Sequence, residues 1–346
     1  MMADKYKMAG VDQKLAGEFV ERIKKLAKGT KSPAVLGGLG DFAGFFKLEV
    51  GEYEQPVLVA SADGVGTKLK IAFATGRHKT VGVDLVAMNA NDLICHGARP
   101  LFFLDYYATS RLEVEVAYQV LEGIAEGCSE CGAALLGGET AQLPGFYAEG
   151  EYDLAGFMVG IVERGKIING ADIKPGDSIV GLASSGLHSN GFSLVRQVLL
   201  DSSKYKLEDK PEGLKKKLVD EMLTPTRIYV PGVRSLIEGG LVPRGIAHIT
   251  GGGFYENIAR ILPEGCKARI EAKEWDPPPI FKLIADEGGI EPQEMFATFN
   301  MGVGMVLFYR PEDTPSAIDK LTEQGILATV VGSVFPGEKS VQVAGI

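Results

Sequence analysis

Cysteine and long apolar runs are scarce in this sequence, and each scarcity excludes a class of protein. The 346 residues include four cysteines and one tryptophan, and four cysteines are too few to cross-link a scaffold of this size through disulfides. No run approaches the roughly 18 apolar residues of a membrane span, and residues 1–14 lack the apolar stretch of a secretory signal. We therefore predict a reduced, cytoplasmic protein that does not bind membranes.

Positive charge is also in short supply. Lys and Arg number 36 against 45 Asp and Glu, which gives a net charge of -9. A general nucleic-acid binder needs a basic surface that displaces counterions from phosphates, so the composition argues against a nucleic-acid partner.

Cys128 and Cys131 form a C-x-x-C without a second Cys or His pair at a zinc-binding spacing, and we interpret them as one face of a helix.

Glycine, by contrast, is abundant. The chain has 45 glycines, about 13% against a usual ~7%, and they cluster between apolar runs where backbone must approach a ligand or another chain.

The length favours two domains, and the polar, turn-rich stretch 164–177 predicts their boundary. We predict domains 1–168 and 169–346. Alternating strands and helices predict an α/β class but leave open whether the sheets are parallel.

A predicted helix over 80–97 carries polar side chains in an otherwise apolar sequence. At 100° per residue, Asp84, Asn91 and Asp92 fall along one stripe of this helix. A solvated stripe would normally also carry Lys, Glu or Arg, which are absent, so we favour a functional stripe. Oxygen donors of this kind suit Mg²⁺, a hard cation.

The segment from Asp63 to Lys68 follows a predicted strand over 57–62. Gly64 and Gly66 allow backbone N–H groups to turn toward an anion, Lys68 supplies positive charge, and Asp63 supplies a further metal oxygen. The P-loop pattern and the dinucleotide-binding fingerprint are both absent. Glu139, after another predicted strand and two glycines, is a further candidate carboxylate.

Two glycine-rich loops in the second half, 184–191 and 250–253, each lie between a predicted strand and a predicted helix. Such loops suit a phosphate at the helix N-terminus, and ordinary tight turns are the alternative. His188 and His248 lie in or beside them, where little core is available to bury a ring, which favours substrate contact. We interpret the remaining histidines as structural.

With these segments in place, the sequence resembles the phosphoribosylformylglycinamidine cyclo-ligase family, also called AIR synthetases. The segments that carry the resemblance lie in order along nearly the whole chain: Lys5–Asp12 (KYKMAGVD), Gly37–Gly40 (GGLG), Asp63–Leu69 (DGVGTKL), Gly82–Leu93 (GVDLVAMNANDL), Phe102–Ala108 (FFLDYYA), Gly137–Tyr147 (GGETAQLPGFY), Ser184–Arg196 (SSGLHSNGFSLVR), Thr224–Val230 (TPTRIYV), His248–Asn257 (HITGGGFYEN) and Phe299–Met305 (FNMGVGM). None is specific alone, but together they are.

The resemblance implies a two-domain PurM-like fold, with an N-terminal domain for ATP binding and dimerisation and a C-terminal α/β domain. It implies ATP and Mg²⁺, formylglycinamidine ribonucleotide as substrate, and a homodimer with ATP sites near the interface. The implied reaction closes an imidazole ring to give aminoimidazole ribonucleotide, and it releases ADP and phosphate.

The resemblance and the residue chemistry together assign roles. The predicted metal ligands are Asp63, Asp84, Asp92 and Glu139. The predicted catalytic residues are Asp63, Lys68, Asp92 and His188, the last as an acid or base. The predicted nucleotide-binding residues are Lys24, Gly38, Gly40, Asp41, Gly64, Gly66, Thr67, Lys68 and Asn91. The predicted substrate-binding residues are Ser184, Ser185, His188, Asn190, Gly191, His248, Thr250, Gly251, Gly252 and Gly253.

Other classes fit less well. Selenophosphate synthetases resemble this sequence but use a reactive cysteine or selenocysteine in the first glycine-rich loop, and residues 37–44 contain no cysteine. Thiamine-phosphate kinases share the aspartates but are not expected to carry the segment 188–191. A nucleotide sensor without catalysis could dispense with the carboxylates that are present here. A nicotinamide dehydrogenase would need the absent fingerprint.

Overall fold

A computed structural model describes residues 13–30, 32–40, 42–202 and 204–346. The chain divides into two compact units: the first contains residues up to Leu93 together with Arg99–Gly165, and the second contains Ile94–Ala98 together with Lys166–Ile346. Strands and helices in both units confirm the predicted α/β class. The functional division at residues 168 and 169 stays a prediction.

The first unit is built on a mixed sheet. Its strands are β3 (Pro56–Gly64), β4 (Arg99–Thr109), β5 (Ala134–Gln142) and β6 (Tyr152–Glu163), and a separate hairpin pairs β1 (Val35–Leu36) with β2 (Phe45–Phe46). The sheet order is β3-β6-β4-β5. Strand β6 pairs antiparallel with β3 and β4, whereas β4 and β5 are parallel, so both pairing modes occur in one sheet.

Helices of the first unit pack closely on one another. They are α1 (Gln13–Gly29), α2 (Leu69–Thr75), α3 (Lys79–Ile94) and α4 (Val114–Cys131). A Cβ added to Gly82 of α3 would overlap the carbonyl oxygen of Val120, and one added to Gly123 of α4 would overlap that of Lys79. These two glycines therefore let the backbones of α3 and α4 come into direct contact.

The sheet of the first unit has one covered and one open face. On the covered face, the Ser61 hydroxyl donates a hydrogen bond of 2.8 Å to the carbonyl oxygen of Asn89 in α3. On the other face, Ala62 and Phe157 pair directly, and Leu58 and Phe157 are 58% and 45% exposed. Since residues alternate between the two faces of a strand, the open face of this sheet is apolar.

The second unit contains a six-stranded sheet. Its strands are β7 (Ser178–Ala183), β8 (Gly245–His248), β9 (Cys266–Glu271), β10 (Val303–Tyr309), β11 (Ala328–Pro336) and β12 (Ser340–Ala344). The order is β12-β9-β11-β7-β10-β8, and β10 is antiparallel to both β7 and β8. The last residues of β7 and β8 therefore lie at the same end of the sheet as the first residues of β10.

Short helices connect these strands. They are α5 (Phe192–Arg196), α6 (Leu218–Met222), α7 (Val230–Glu238), α8 (Gly253–Ile261), α9 (Pro279–Gly288), α10 (Pro292–Thr298) and α11 (Thr314–Glu323). Helix α5 continues into a π-helical turn over Gln197–Asp201, where the sequence predicts one helix. In the residues that the structure describes, no helix is long and apolar enough to cross a membrane.

The structure differs most from the local sequence pattern at residues 137–140, which are predicted as a loop. These residues lie in the middle of β5, because their backbone pairs in parallel with residues 104–107 of β4. Glu139 therefore lies opposite Tyr106 within a strand and is exposed. A distant strand partner overrides the turn tendency of two consecutive glycines.

His78 belongs to the core of the first unit, as predicted for a structural histidine. Its side chain is 4% exposed, and its Nδ1 lies 2.9 Å from the hydroxyl of Tyr152, whose ring stacks on Tyr107. Burial lowers the pKa of His78 below its ordinary value of 6.5. The neutral ring is thus the form that the fold accepts.

Acid should therefore destabilise the fold through His78. As pH falls below 6.5, the unfolded chain binds a proton that the folded chain excludes, so the free energy of unfolding decreases until the folded pKa is reached. We expect the stability of His78→Gln to change less between pH 7.5 and 5.5 than that of the wild type, measured by urea unfolding. His96→Gln, at an exposed ring, is the control; equal pH dependence in wild type and His78→Gln would contradict this account.

Candidate active site

Asp63 lies near the end of β3, where the chain turns sharply into α2. Its Oδ1 accepts a hydrogen bond of 2.7 Å from the backbone N–H of Gly64, which orients the half-buried carboxylate. Gly66 has a φ of 68°, a left-handed value that favours glycine. Gly66–Lys68 then form a 3₁₀ turn, with Thr67 exposed. The predicted residues 63–67 thus form one compact turn.

Lys68 and Asp84 form a buried ion pair. Lys68 Nζ lies 2.7 Å from Asp84 Oδ2, and both side chains are 0% exposed. Burial lowers the pKa of Lys68, and the neighbouring Asp84 opposes this shift. The two charges thus face each other inside the protein, and the predicted roles of Lys68 on nucleotide phosphates and of Asp84 on a metal ion stay predictions.

The polar stripe of α3 is more deeply buried than the sequence suggests. Asn91 is 0% exposed and Asp92 is half-buried. Asn89, which the sequence assigns no role, donates a hydrogen bond of 2.8 Å to the carbonyl oxygen of Leu85 and lies 3.4 Å from the carbonyl oxygen of Asp63. Asn89 therefore connects α3 to the end of β3, and Asp92 lies almost one turn further along the helix.

The four predicted metal ligands do not form one cluster in the described residues, where no three His, Cys, Asp or Glu side chains are grouped to hold a metal ion. Asp63 pairs with Gly156 on the helix-covered face, whereas Glu139 is exposed beside Tyr106. Mg²⁺, however, commonly uses only one or two protein carboxylates together with water and substrate phosphates. The half-buried carboxylates of Asp63 and Asp92 fit that donor set.

A cleft of about 400 Å³ lies beside α1 and the β1–β2 hairpin. It is lined by residues Glu21, Lys24, Lys25, Ala27, Lys28, Val35, Leu36, Gly37, Gly38, Leu39, Gly44, Phe45, Leu135 and Leu136. A Cβ added to Gly40 would lie 3.4 Å from Lys24 Cε, so three predicted nucleotide-binding residues, Lys24, Gly38 and Gly40, come together here. Asp41, the fourth in this segment, lies outside the described residues.

Three lysines and an apolar wall define the chemistry of this cleft. Lys24 Nζ forms an ion pair with Glu21 at 2.5 Å, while Lys25 and Lys28 also line the space. Lys24 and Lys28 share a helix face because they are four residues apart. The sequence prediction missed Lys25 and Lys28, although this spacing was available as a signal. Positive charge beside apolar side chains suits a nucleotide with its phosphates.

The C-x-x-C cysteines lie on a helix, as predicted. Cys128 and Cys131 are free and buried at the end of α4. Burial raises the pKa of both thiols, that of Cys131 to about 12. The thiolate that metal binding or redox chemistry requires is therefore disfavoured at neutral pH.

In the second unit, the loop 184–191 follows β7, and hydrogen bonds from its serine hydroxyls hold it. Ser184 Oγ donates to the carbonyl oxygen of Gly186 at 2.9 Å, and Ser185 Oγ donates to that of Pro225 at 2.6 Å. A Cβ added to Gly191 would overlap the ring of Phe299. Asn190 is half-buried. The two predicted serines thus shape the loop through their hydroxyls.

The buried side chain of His188 forms hydrogen bonds with the backbone of this loop. It is 1% exposed with a left-handed φ of 61°, and its Nε2 accepts a hydrogen bond of 3.1 Å from the N–H of Ser185. The N–H of Arg227 lies 3.5 Å from the same nitrogen. This buried nitrogen accepts protein hydrogen bonds that hold the loop, and the predicted acid–base role of His188 stays a prediction.

The loop 250–253 lies close to the loop 184–191 at the same end of the sheet. A Cβ added to Gly251 would lie 3.6 Å from Asn190 Oδ1. Asn257 Nδ2 donates to the carbonyl oxygens of Gly253 at 2.8 Å and Gly251 at 3.2 Å, a role that the sequence prediction missed. Gly252 precedes α8 with a φ of 87°, and His248 and half-buried Thr250 lie just before it. The predicted loops therefore form one cluster beside a helix N-terminus.

Comparisons with known proteins agree along the chain. Residues 40–162 match the family model described as AIR synthase related protein, N-terminal domain, and residues 174–344 match the corresponding C-terminal domain. A phosphoribosylformylglycinamidine cyclo-ligase from Myxococcus xanthus is 56% identical over 337 residues, covering 97% of each chain. One from Brevibacillus brevis is 51% identical over 345 residues, covering 100% of this chain and 99% of the relative.

Solved structures share the fold at much lower identity. Thiamine-monophosphate kinase from Stenotrophomonas maltophilia has a TM-score of 0.69 and 16% identity, covering 94% of this chain and 96% of that chain. E. coli HypE, a hydrogenase maturation protein, has a TM-score of 0.68 and 15% identity, covering 96% and 94%. This likeness confirms the predicted PurM-like fold.

The buried pair predicts a large cost for removing one partner. Lys68→Met leaves the Asp84 charge buried without Lys68, which should lower the free energy of unfolding by about 3–5 kcal/mol. Lys68→Met combined with Asp84→Leu should recover most of that loss. The control is Lys70→Met, because Lys70 forms a solvent-exposed pair with Glu151 that should contribute below ~1 kcal/mol. Equal losses in the Lys68 and Lys70 variants, measured by urea unfolding, would refute the assignment.

Proposed function

The chain belongs to the AIR synthase related family, and we propose how its own residues carry out the ring closure for which its curated relatives are named. The enzyme is a ligase of purine biosynthesis that converts formylglycinamidine ribonucleotide to aminoimidazole ribonucleotide. The observation that carries this conclusion is the identity of 50–56% with curated cyclo-ligases over nearly the full length. ATP is the second substrate, and ADP and phosphate are released.

ATP solves a leaving-group problem in this reaction. The formyl carbon belongs to an amide, whose carbonyl is a poor electrophile and whose oxygen is a poor leaving group. Transfer of the γ-phosphoryl group to that oxygen gives an iminophosphate-like species. The ribose-bearing amidine nitrogen then forms the new C–N bond as the C–O bond breaks and phosphate departs. The protein contributes positioning and charge neutralisation, which dominate phosphoryl transfer.

The lysine-lined cleft of the first unit is the proposed nucleotide site. Val35, Leu36 and Leu136 provide an apolar wall for a base, and Lys24 and Lys28 provide positive charge on one helix face. Gly38 and Gly40 leave room for phosphates to approach the backbone. Lys68, which is buried with Asp84, supports the adjoining turn rather than the phosphates.

The carboxylates of Asp63 and Asp92 are the proposed protein ligands for Mg²⁺, with Glu139 as an exposed additional candidate. Mg²⁺ bound with the nucleotide supplies charge neutralisation for the transferred phosphoryl group. Asp63 is oriented by the N–H of Gly64, and its strand is held against α3 through Asn89. These contacts allow the fold to hold the carboxylate in place before ligands arrive.

The loops 184–191 and 250–253 are the proposed site for the ribonucleotide. The N-terminus of α8 presents backbone N–H groups that suit an anion such as the ribose phosphate. Asn190 and Thr250 are half-buried, with polar groups at the meeting point of the loops. His188 and Asn257 fix the loop backbones through hydrogen bonds.

The cytoplasmic location that the sequence predicts remains a prediction.

The open face of the first sheet supports a homodimer. Leu58 and Phe157 are 58% and 45% exposed on a face where Ala62 pairs with Phe157. Contiguous apolar surface of this kind marks an interaction site in a soluble protein. A second copy of the chain is the proposed occupant, in agreement with the dimer that the sequence resemblance implies.

The purified chain should convert formylglycinamidine ribonucleotide, ATP and Mg²⁺ to the aminoimidazole product with one phosphate released per product. Asp63→Asn should reduce turnover at least a hundredfold, in the range seen when charge stabilisation is removed. The matched control is Asp153→Asn, because the exposed Asp153 Oδ1 likewise accepts the next backbone N–H, at 2.9 Å. Wild-type protein that forms no aminoimidazole product would refute the function, and an active Asp63→Asn would refute the metal-binding role.

The dimer proposal predicts that a charge on the open sheet face prevents assembly. We expect wild-type protein to sediment as a dimer at micromolar concentration and Phe157→Glu to sediment as a monomer, because a buried unpaired carboxylate is costly. Phe335→Glu is the control, since Phe335 is also a strand residue with 45% exposure. A wild-type monomer, or dimers of both variants, would contradict the proposed interface.

A further inference from the structure

Among the described residues that line the proposed nucleotide cleft, Glu21 is the only acidic one. It lies one turn before Lys24 on α1, and its carboxylate forms an ion pair with Lys24 Nζ at 2.5 Å. Nucleotide phosphates are negatively charged, so a carboxylate that faces the same space opposes their binding. The sequence prediction assigned Lys24 to the nucleotide and gave Glu21 no role. The cleft therefore contains an acidic side chain that its proposed ligand does not explain.

Lys24 lies where the proposed nucleotide site needs positive charge. A Cβ added to Gly40 would lie 3.5 Å from Lys24 Nζ, so the ammonium group lies against the backbone of the glycine-rich segment that leaves room for phosphates. Gly40 has a φ of 113°, a value that favours glycine and keeps this position free of a side chain. The same ammonium group is therefore bound to Glu21 and borders the proposed position of the phosphates.

A phosphate group and the Glu21 carboxylate compete for this ammonium group. Both present anionic oxygens, and a lysine interacts with either as a compact charge that carries three N–H donors on a flexible stem. The side chains of Lys24 and Glu21 are 36% and 70% exposed, and an ion pair with this exposure is weak. The pair can therefore open when a more highly charged anion enters the cleft, at the cost of the contact with Glu21.

We propose that Glu21 lowers the affinity of the cleft for nucleotides by holding Lys24, and that the phosphates of ATP displace its carboxylate from the ammonium group. The proposal rests on the proposed function, because it takes the lysine-lined cleft as the ATP site. Glu21 is a positioning residue, since it acts on the nucleotide through Lys24. After the reaction, the ion pair forms again as the nucleotide product leaves, so Glu21 also favours release of ADP.

A second ion pair on the same helix provides a matched control. Arg22 Nη1 lies 2.6 Å from Oε1 of Glu115 in α4, and the two side chains are 38% and 78% exposed, close to the values for Lys24 and Glu21. Neither Arg22 nor Glu115 is among the described residues that line the cleft. The two pairs therefore have similar geometry and exposure and differ in their position relative to the proposed nucleotide site.

Calorimetric titration of the full chain with a non-hydrolysable ATP analogue tests the proposal. We expect Glu21→Gln to bind the analogue about two- to fivefold more tightly than wild type, the range expected for an exposed ion pair, and Glu115→Gln to bind it as wild type does. Adenosine, which lacks phosphates, should bind wild type and Glu21→Gln equally. Unchanged or weaker analogue binding by Glu21→Gln, equal tightening in Glu115→Gln, or equal tightening for adenosine would overturn the proposal.

A double-mutant cycle shows whether Glu21 acts through Lys24. Lys24→Met should weaken analogue binding, and Glu21→Gln added to that variant should recover little affinity, because no ammonium group remains to be released. Tightening of the same size in the Lys24→Met background would overturn the proposal, since Glu21 would then repel the phosphates directly. If wild-type protein forms product and Glu21→Gln binds the analogue no more tightly, this inference fails and the proposed function stands. Wild-type protein that binds no analogue would refute the nucleotide site together with this inference.

Discussion

The ion pair between Lys68 and Asp84 is the constraint on which the geometry of the first unit depends. It joins the turn after β3 to α3 inside a region that excludes water, where each charge needs the other. The turn begins directly after Asp63, and the same helix carries Asn89 and Asp92. The pair therefore fixes the spacing of the carboxylates that the proposed chemistry uses, and both of its members are buried.

The two faces of the sheet in the first unit carry different kinds of side chain. The covered face carries a polar row that includes Asp63 and Asp105, and helix α3 packs on it through Asn89. The open face carries apolar side chains such as Leu58 and Phe157. This division follows from the period of two along a strand. A change of register by one residue would exchange the two sets and remove both the polar row and the apolar surface.

Local pattern predicted the elements of this fold well and the environment of single side chains less well. The predicted strand over 57–62 and the predicted helix that carries Cys128 and Cys131 agree with the structure, because their apolar patterns are strong. The burial of Lys68 and the strand conformation of Glu139 depend on partners far away in the sequence, which a local pattern does not contain.

The contact between α3 and α4 at Gly82 and Gly123 has a consequence for how this protein tolerates change. Any side chain at either position would force two backbones apart, and with them the sheet face on which α3 rests. Gly51 and Gly165, by comparison, have open space around them. The glycine-rich composition thus combines positions that sequence drift can alter freely with a pair that it must leave untouched, and only the three-dimensional packing tells the two kinds apart.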